Sequence, residues 1–182
     1  MYRRLKTSLL FITLAAVAAC TGVPEGISPV ENFDVEKYLG TWYEIARLDH
    51  SFERGLDQVT ATYSRREDGG VKVINRGFNR KEGSWSEAEG KAYFTQTPDI
   101  GALKVSFFGP FYGAYNIIAL DKENYQWVMI CGNNRDYLWI MSRNPNLDQQ
   151  TINRLLGRAK ALGFATDKLI WVDHGEGPTS EV

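Results

Sequence analysis

Eight short stretches of strand-forming residues follow one another at regular intervals, each cut from the next by turn chemistry. The stretches are 40–48, 57–65, 71–79, 85–95, 102–108, 114–121, 125–132 and 137–143. Between them lie Asp68-Gly69-Gly70, Lys81-Glu82-Gly83, Thr97-Pro98-Asp99, Gly109-Pro110, Asp121-Lys122-Glu123-Asn124 and Gly132-Asn133-Asn134, residues that bend a chain and end a ladder. Short strands so spaced predict an all-β barrel or sandwich rather than a parallel sheet.

One helix is predicted after the strands. Asn146 or Asp148 can cap it, Ile152, Leu155, Leu156, Ala159 and Leu162 recur on one face, and Gly163 stops it. The strands at 114–121, 125–132 and 137–143 are apolar on both faces, so something other than water must cover their outer side. The helix is expected to do so, with Leu169 to Val172 adding a short last strand.

The first nineteen residues are set aside before any fold argument. Arg3, Arg4 and Lys6 precede the apolar run Leu9 to Ala19, which is too short to span a bilayer as a mature helix. Val17-Ala18-Ala19-Cys20 resembles the lipobox of bacterial lipoproteins, which implies lipidation of Cys20 and cleavage before it. Thr21 after the cysteine implies sorting to the outer membrane. Residues 1–19 are read as signal peptide, 20–30 as a lipidated tether, 31–175 as one domain and 176–182 as a polar tail. The tether could hold the domain at most ~30 Å from the membrane.

The mature part carries 18 basic and 22 acidic residues, with no basic stripe to attract nucleic acid or anionic lipid. Membrane attachment therefore falls to Cys20. Cys131 then has no partner and, within Trp127-Val128-Met129-Ile130-Cys131, is expected to be a buried, inert thiol. His50 and His174 are expected on the surface rather than as metal ligands. The chain shows no nucleophile–base–orienter set, metal cluster or phosphate loop, so neither an enzyme nor a cofactor is expected.

Counting strands gives the ends of the barrel. If strands run up and down, Trp42 near the start of the first and Arg143 at the end of the eighth share one end. In a closed barrel those strands are neighbours, and a guanidinium stacked on the indole is worth ~0.5–2 kcal/mol. That end is expected to be plugged. The loops at 50–56, 80–84, 109–113 and 133–136 then frame an open mouth.

Gly40-x-Trp42, Leu120-Asp121 followed by Tyr125, and Arg143 in its strand together resemble the three motif regions of the lipocalins. Asn32-Phe33-Asp34, Tyr38 to Arg47, Lys104 to Tyr112 and Asp136 to Pro145 resemble the bacterial, apolipoprotein D-like branch, whose members are outer-membrane lipoproteins. The similarity runs over roughly residues 30–174. It implies an eight-stranded, up-and-down antiparallel lipocalin barrel with one C-terminal α-helix on its outside, wide enough for one small ligand. The implied ligands are fatty acids or lysophospholipids.

Alternation then selects the lining. Fixing Trp42 inward brings Glu44 and Ala46 inward, and fixing Arg143 brings Met141, Trp139 and Tyr137. Leu103, Val105 and Phe107 alternate with polar neighbours and face in. The resemblance adds Val59, Ala61 and Tyr63, then Val71, Val73 and Asn75, and lastly Tyr115, Ile117, Ala119, Val128 and Ile130. Glu44 is costly inside unless it finds a donor near the plugged end or a bulge exposes it. At the mouth, Phe107, Phe108, Phe111 and Tyr112 exceed what a solvated loop needs; a lid, a membrane surface and a homodimer contact are the open roles, with Phe107 and Phe111 packing inward as the plainer one. The leading expectation is lipid binding and transport; an enzyme acting on a small hydrophobic substrate within the barrel is the alternative.

Overall fold

Strand ends fall where the turn residues stand. The computed structural model describes residues 21–175; the leader, Cys20 and the 176–182 tail lie outside the described residues. After a short helix α1 (Val35–Tyr38) come β1 (Gly40–Arg47), β2 (Leu56–Arg65), β3 (Val71–Asn79), β4 (Ser84–Phe94), β5 (Ala102–Phe108), β6 (Phe111–Leu120), β7 (Trp127–Cys131) and β8 (Leu138–Ser142). Helix α2 (Gln149–Ala161) and β9 (Ile170–Trp171) follow. From β1 to β8 each strand pairs antiparallel with the next, β1 also pairs with β8 to close an eight-stranded barrel, and β9 adds to β1.

β6 starts at Phe111 rather than near residue 114, with Phe108 paired to Phe111. The mouth segment 107–113 is therefore a tight hairpin tip at Gly109-Pro110, with Gly113 inside a strand.

Two bulges change which residues face in. In β1 the register with β8 slips between Glu44 and Ala46, and in β6 the register with β7 slips between Ile117 and Ala119. Each extra residue flips the alternation beyond it. Ala46 and Ala119, expected inside, instead join the outer cluster with Ile45, Ile118, Met129 and Ile140. The carbonyls freed by the bulges are taken up: Arg158 donates to Ile118 O at 2.7 Å, and Val172 N donates to Ile45 O at 3.0 Å.

α2 seals that outer cluster. Asp148 is the cap, accepting from Thr151 N at 2.8 Å, and Gly163 ends the helix at φ 84°. Leu155 and Ala159 are buried against the barrel. Cys131 lies in the same layer, and burial pushes its thiol up to about 12.

The segment read as a free tether is docked. Ile27 is buried in the outer cluster, Val30 N donates to Ile117 O, and Gly101 N donates to Val30 O, both at 2.8 Å. Pro24, Gly26 and Pro29 give the segment a linker's composition, while the Ile27 side chain and the Val30 backbone supply the contacts.

Candidate functional site

The base of the barrel is closed by stacked aromatic rings and one guanidinium. Trp42 is fully buried, and Arg143 Cζ lies 3.9 Å from its ring centroid. Arg143 also donates to the carbonyls of Lys37, Tyr38, Leu39, Thr41 and Tyr125 at 2.7–3.3 Å. Four of those carbonyls end α1 and start β1 and the fifth, of Tyr125, lies in the β6–β7 loop, so one cation ties both segments at the base to the end of β8. Gly40 is required here because its φ is +94°, a backbone conformation that side chains rarely adopt.

Above the plug stands a floor of three phenols. Tyr115 Oη lies 2.5 Å from Tyr38 Oη and 2.8 Å from Tyr63 Oη. Burial raises all three pKa values, so the hydroxyls stay protonated. Three hydroxyl protons serve two mutual hydrogen bonds, which leaves one proton free for another acceptor.

The cavity over this floor measures about 670 Å³, within the ordinary range for small-molecule sites. Tyr63, Val73, Asn75, Val105, Phe107, Tyr115, Ile130, Tyr137, Trp139 and Met141 line it, as do Phe108, Phe111 and Tyr112 from the hairpin. Besides Ala46 and Ala119, four expected lining residues do not reach it. Val71 and Leu103 border only a void of about 10 Å³ beneath the floor. Ile117 and Val128 are fully buried in the core below, because Phe33, Tyr38 and Tyr125 fill the base.

One wall carries charge. Arg47 Nη1 lies 2.7 Å from Glu44 Oε1, both almost fully buried, and Arg47 Nη2 donates to the carbonyls of Glu53 and Leu56. Glu44 therefore meets its donor on the mouth side and is not exposed by its bulge, contrary to both expectations. Glu53 Oε2 accepts from Trp139 Nε1 at 3.1 Å and lies 3.0 Å from His50 Nε2. Burial raises the Glu44 pKa well above the usual range, the Glu53 charge adds to this, and Arg47 opposes it. For Glu53 burial acts upward too, but His50, Trp139 and Arg47 outweigh it and hold its pKa low.

His50 is not a surface residue. It is 5% exposed, with its ring 3.8 Å from Phe52 and 5.1 Å from Trp139. The β1–β2 loop thus folds back into the mouth, which its polar sequence concealed. His174 is half-buried, its Nε2 2.7 Å from Glu44 O. Glu44 lines the cavity as alternation predicts, while Glu53, Phe52, Leu56, Arg76 and Asn134 line it beyond the residues read from sequence.

The rim is aromatic. Phe108 and Phe111 are 79% and 71% exposed, so Phe111 does not pack inward. Phe107 is partly exposed and lies along Gly90, where an added Cβ would meet its ring at 2.8 Å.

Comparison with known proteins agrees with this geometry. The lipocalin-like domain model matches residues 33–174. The chain is 58% identical to an outer membrane lipoprotein, Blc, of Citrobacter freundii over 158 residues, 86% of this chain and 89% of that one. It is 38% identical to apolipoprotein D of Rattus norvegicus over 162 residues, 80% of this chain and 85% of that one. Insecticyanin from the tobacco hornworm Manduca sexta shares the fold, with a TM-score of 0.68 at 21% identity over 85% of this chain and 88% of that one. A closed base, an apolar interior open at one end and an outer helix on an eight-stranded barrel are thus joined to a matching sequence: the chain belongs to the lipocalin family.

Proposed function

We propose that this protein takes single-chain amphiphiles, fatty acids or lysophospholipids, into the barrel and stores or carries them at the outer membrane. The observation that carries this reading is the one-ended cavity of about 670 Å³. An acyl chain entering at the rim meets Val59, Ala61, Val73, Val105, Ile130 and Met141 on its way to the phenol floor. Burying each methylene there gains ~0.8 kcal/mol. Charged and polar groups cluster on one wall and at the rim, which suits a head group held near the mouth. Attachment through a lipid on Cys20 follows from the lipobox, and relatives at 50–58% identity named outer membrane lipoproteins support it.

Mass spectrometry of lipids co-purified with the full chain from host membranes tests the reading. Single-chain lipids, up to one per barrel, are expected. Repeated recovery of none, together with no uptake of a fatty acid or lysophospholipid by the purified protein, would overturn it. Turnover of lysophospholipid would replace carriage by catalysis.

A further inference from the structure

Gly22 is the second residue after Cys20, and it is fastened to the barrel. Asn116 Nδ2 donates to both Gly22 O and Gly132 O at 3.2 Å. Gly132 directly follows β7 at the open end. In the same mouth loop Arg135 donates to Glu25 O and to Leu162 O, each at 2.7 Å. Ile27 packs into the outer cluster, and Val30 is held by backbone bonds to Ile117 and Gly101. Two residues extend at most ~7 Å, so the attachment point leaves the protein beside a mouth loop and not at the end of a long tether.

The same strand that holds Gly22 leads to the aromatic hairpin. From Asn116, β6 runs five residues to Phe111, ~17 Å at the rise of an antiparallel strand. Of the six large apolar side chains exposed among the described residues, Phe52, Trp85, Phe107, Phe108 and Phe111 stand on mouth elements, and only Trp171 of β9 does not. None stands on a base loop. Exposed aromatic side chains on several loops at one end mark a surface that leaves water.

We infer that the barrel sits mouth-down on the bilayer, with the acyl groups of Cys20 and the Phe52, Trp85, Phe108 and Phe111 side chains entering one leaflet. This rests on the reading that Cys20 is acylated. A lipid then passes between leaflet and cavity without crossing bulk water. The short, fastened stretch below Cys20 favours the bilayer over a second copy of the chain as the surface that covers the rim.

The test uses the full acylated protein in phosphatidylethanolamine–phosphatidylglycerol vesicles containing a brominated-acyl phospholipid. An environment-sensitive thiol dye is placed through Phe108→Cys at the rim or Lys122→Cys in the β6–β7 base loop; Cys131 is buried and stays unlabelled. Bromolipid quenching several-fold stronger at position 108 than at 122 is expected. Equal quenching, stronger quenching at 122, or a rim dye shielded without bromolipid quenching, as in a mouth-to-mouth dimer, would overturn the orientation. The mass of the peptide bearing Cys20 separates the two claims. An unacylated peptide brings down the lipoprotein reading, whereas an acylated barrel quenched at its base brings down the orientation alone.

Discussion

Arg47 reaches Glu44 at 2.7 Å because β1 gains one residue between them. Three apart on a regular strand, the two side chains would face opposite sides of the sheet. The bulge turns both inward, so the ion pair and the bulge stabilise each other. Arg47→Met should leave a buried carboxylate without its cation and cost ~3–5 kcal/mol, while Arg47→Met with Glu44→Leu should recover much of that loss. Urea denaturation of the two variants checks this; a double variant no better than the single one contradicts it.

The same carboxylate sets a pH dependence. A Glu44 pKa raised in the folded state means that the folded chain binds more protons there than the unfolded chain above roughly pH 4.3. Stability should therefore fall as pH rises through that window. Glu53, held low, acts oppositely: its contribution is complete above its ordinary pKa and is lost as pH falls below it. Glu44→Gln should remove the decline on the alkaline side and keep the loss in acid. An unchanged slope of folding free energy against pH would contradict the assignment.

At the base, Arg143→Ala removes the stacking on Trp42 and the bonds to five carbonyls. A loss on the order of 1–3 kcal/mol is expected, since water can re-solvate part of what is exposed. Arg143→Lys keeps the charge but not the fan of donors and should fall between. Thermal unfolding of both variants measures the ordering.

Trp42, Arg143 and the turns were legible because each is a local signature: Gly40 with a positive φ, an indole two residues on, and Gly or Asn between alternating runs. The direction of side chains past residue 45 and past residue 117 was not. Glu44-Ile45-Ala46 and Ile117-Ile118-Ala119-Leu120 offer apolar choices for both faces, so extrapolated alternation placed Ala46 inside and the family resemblance placed Ala119 there, whereas both lie in the outer cluster. The docked stretch at 22–30 and the inward fold of His50 and Glu53 depend on partners more than seventy residues away, such as Asn116 and Trp139. Polar residues in a loop do not announce that they will be buried. Val23, Ile27 and Val30 were the available signal for docking, overshadowed by the prolines around them.

The hairpin should govern entry rather than affinity. Phe108 is 79% exposed, so it adds little to the wall of the filled cavity. Replacing Phe108 and Tyr112 with Ser should slow uptake of a palmitoyl lysophospholipid from vesicles more than it weakens equilibrium binding of free fatty acid. Stopped-flow transfer beside an equilibrium titration resolves the two; equal effects, or none, would leave the hairpin as packing.

In the proposed function one amphiphile occupies the barrel interior. Val105 borders both the main cavity and the void under the phenol floor, so Val105→Trp should fill the path of an acyl chain. Isothermal titration of purified, delipidated protein with a palmitoyl lysophospholipid tests this most directly. One ligand per barrel in the unsubstituted chain, and binding lost in a Val105→Trp variant that still unfolds cooperatively, is the predicted result. Undiminished binding by the folded variant, or none by the unsubstituted chain, would contradict it.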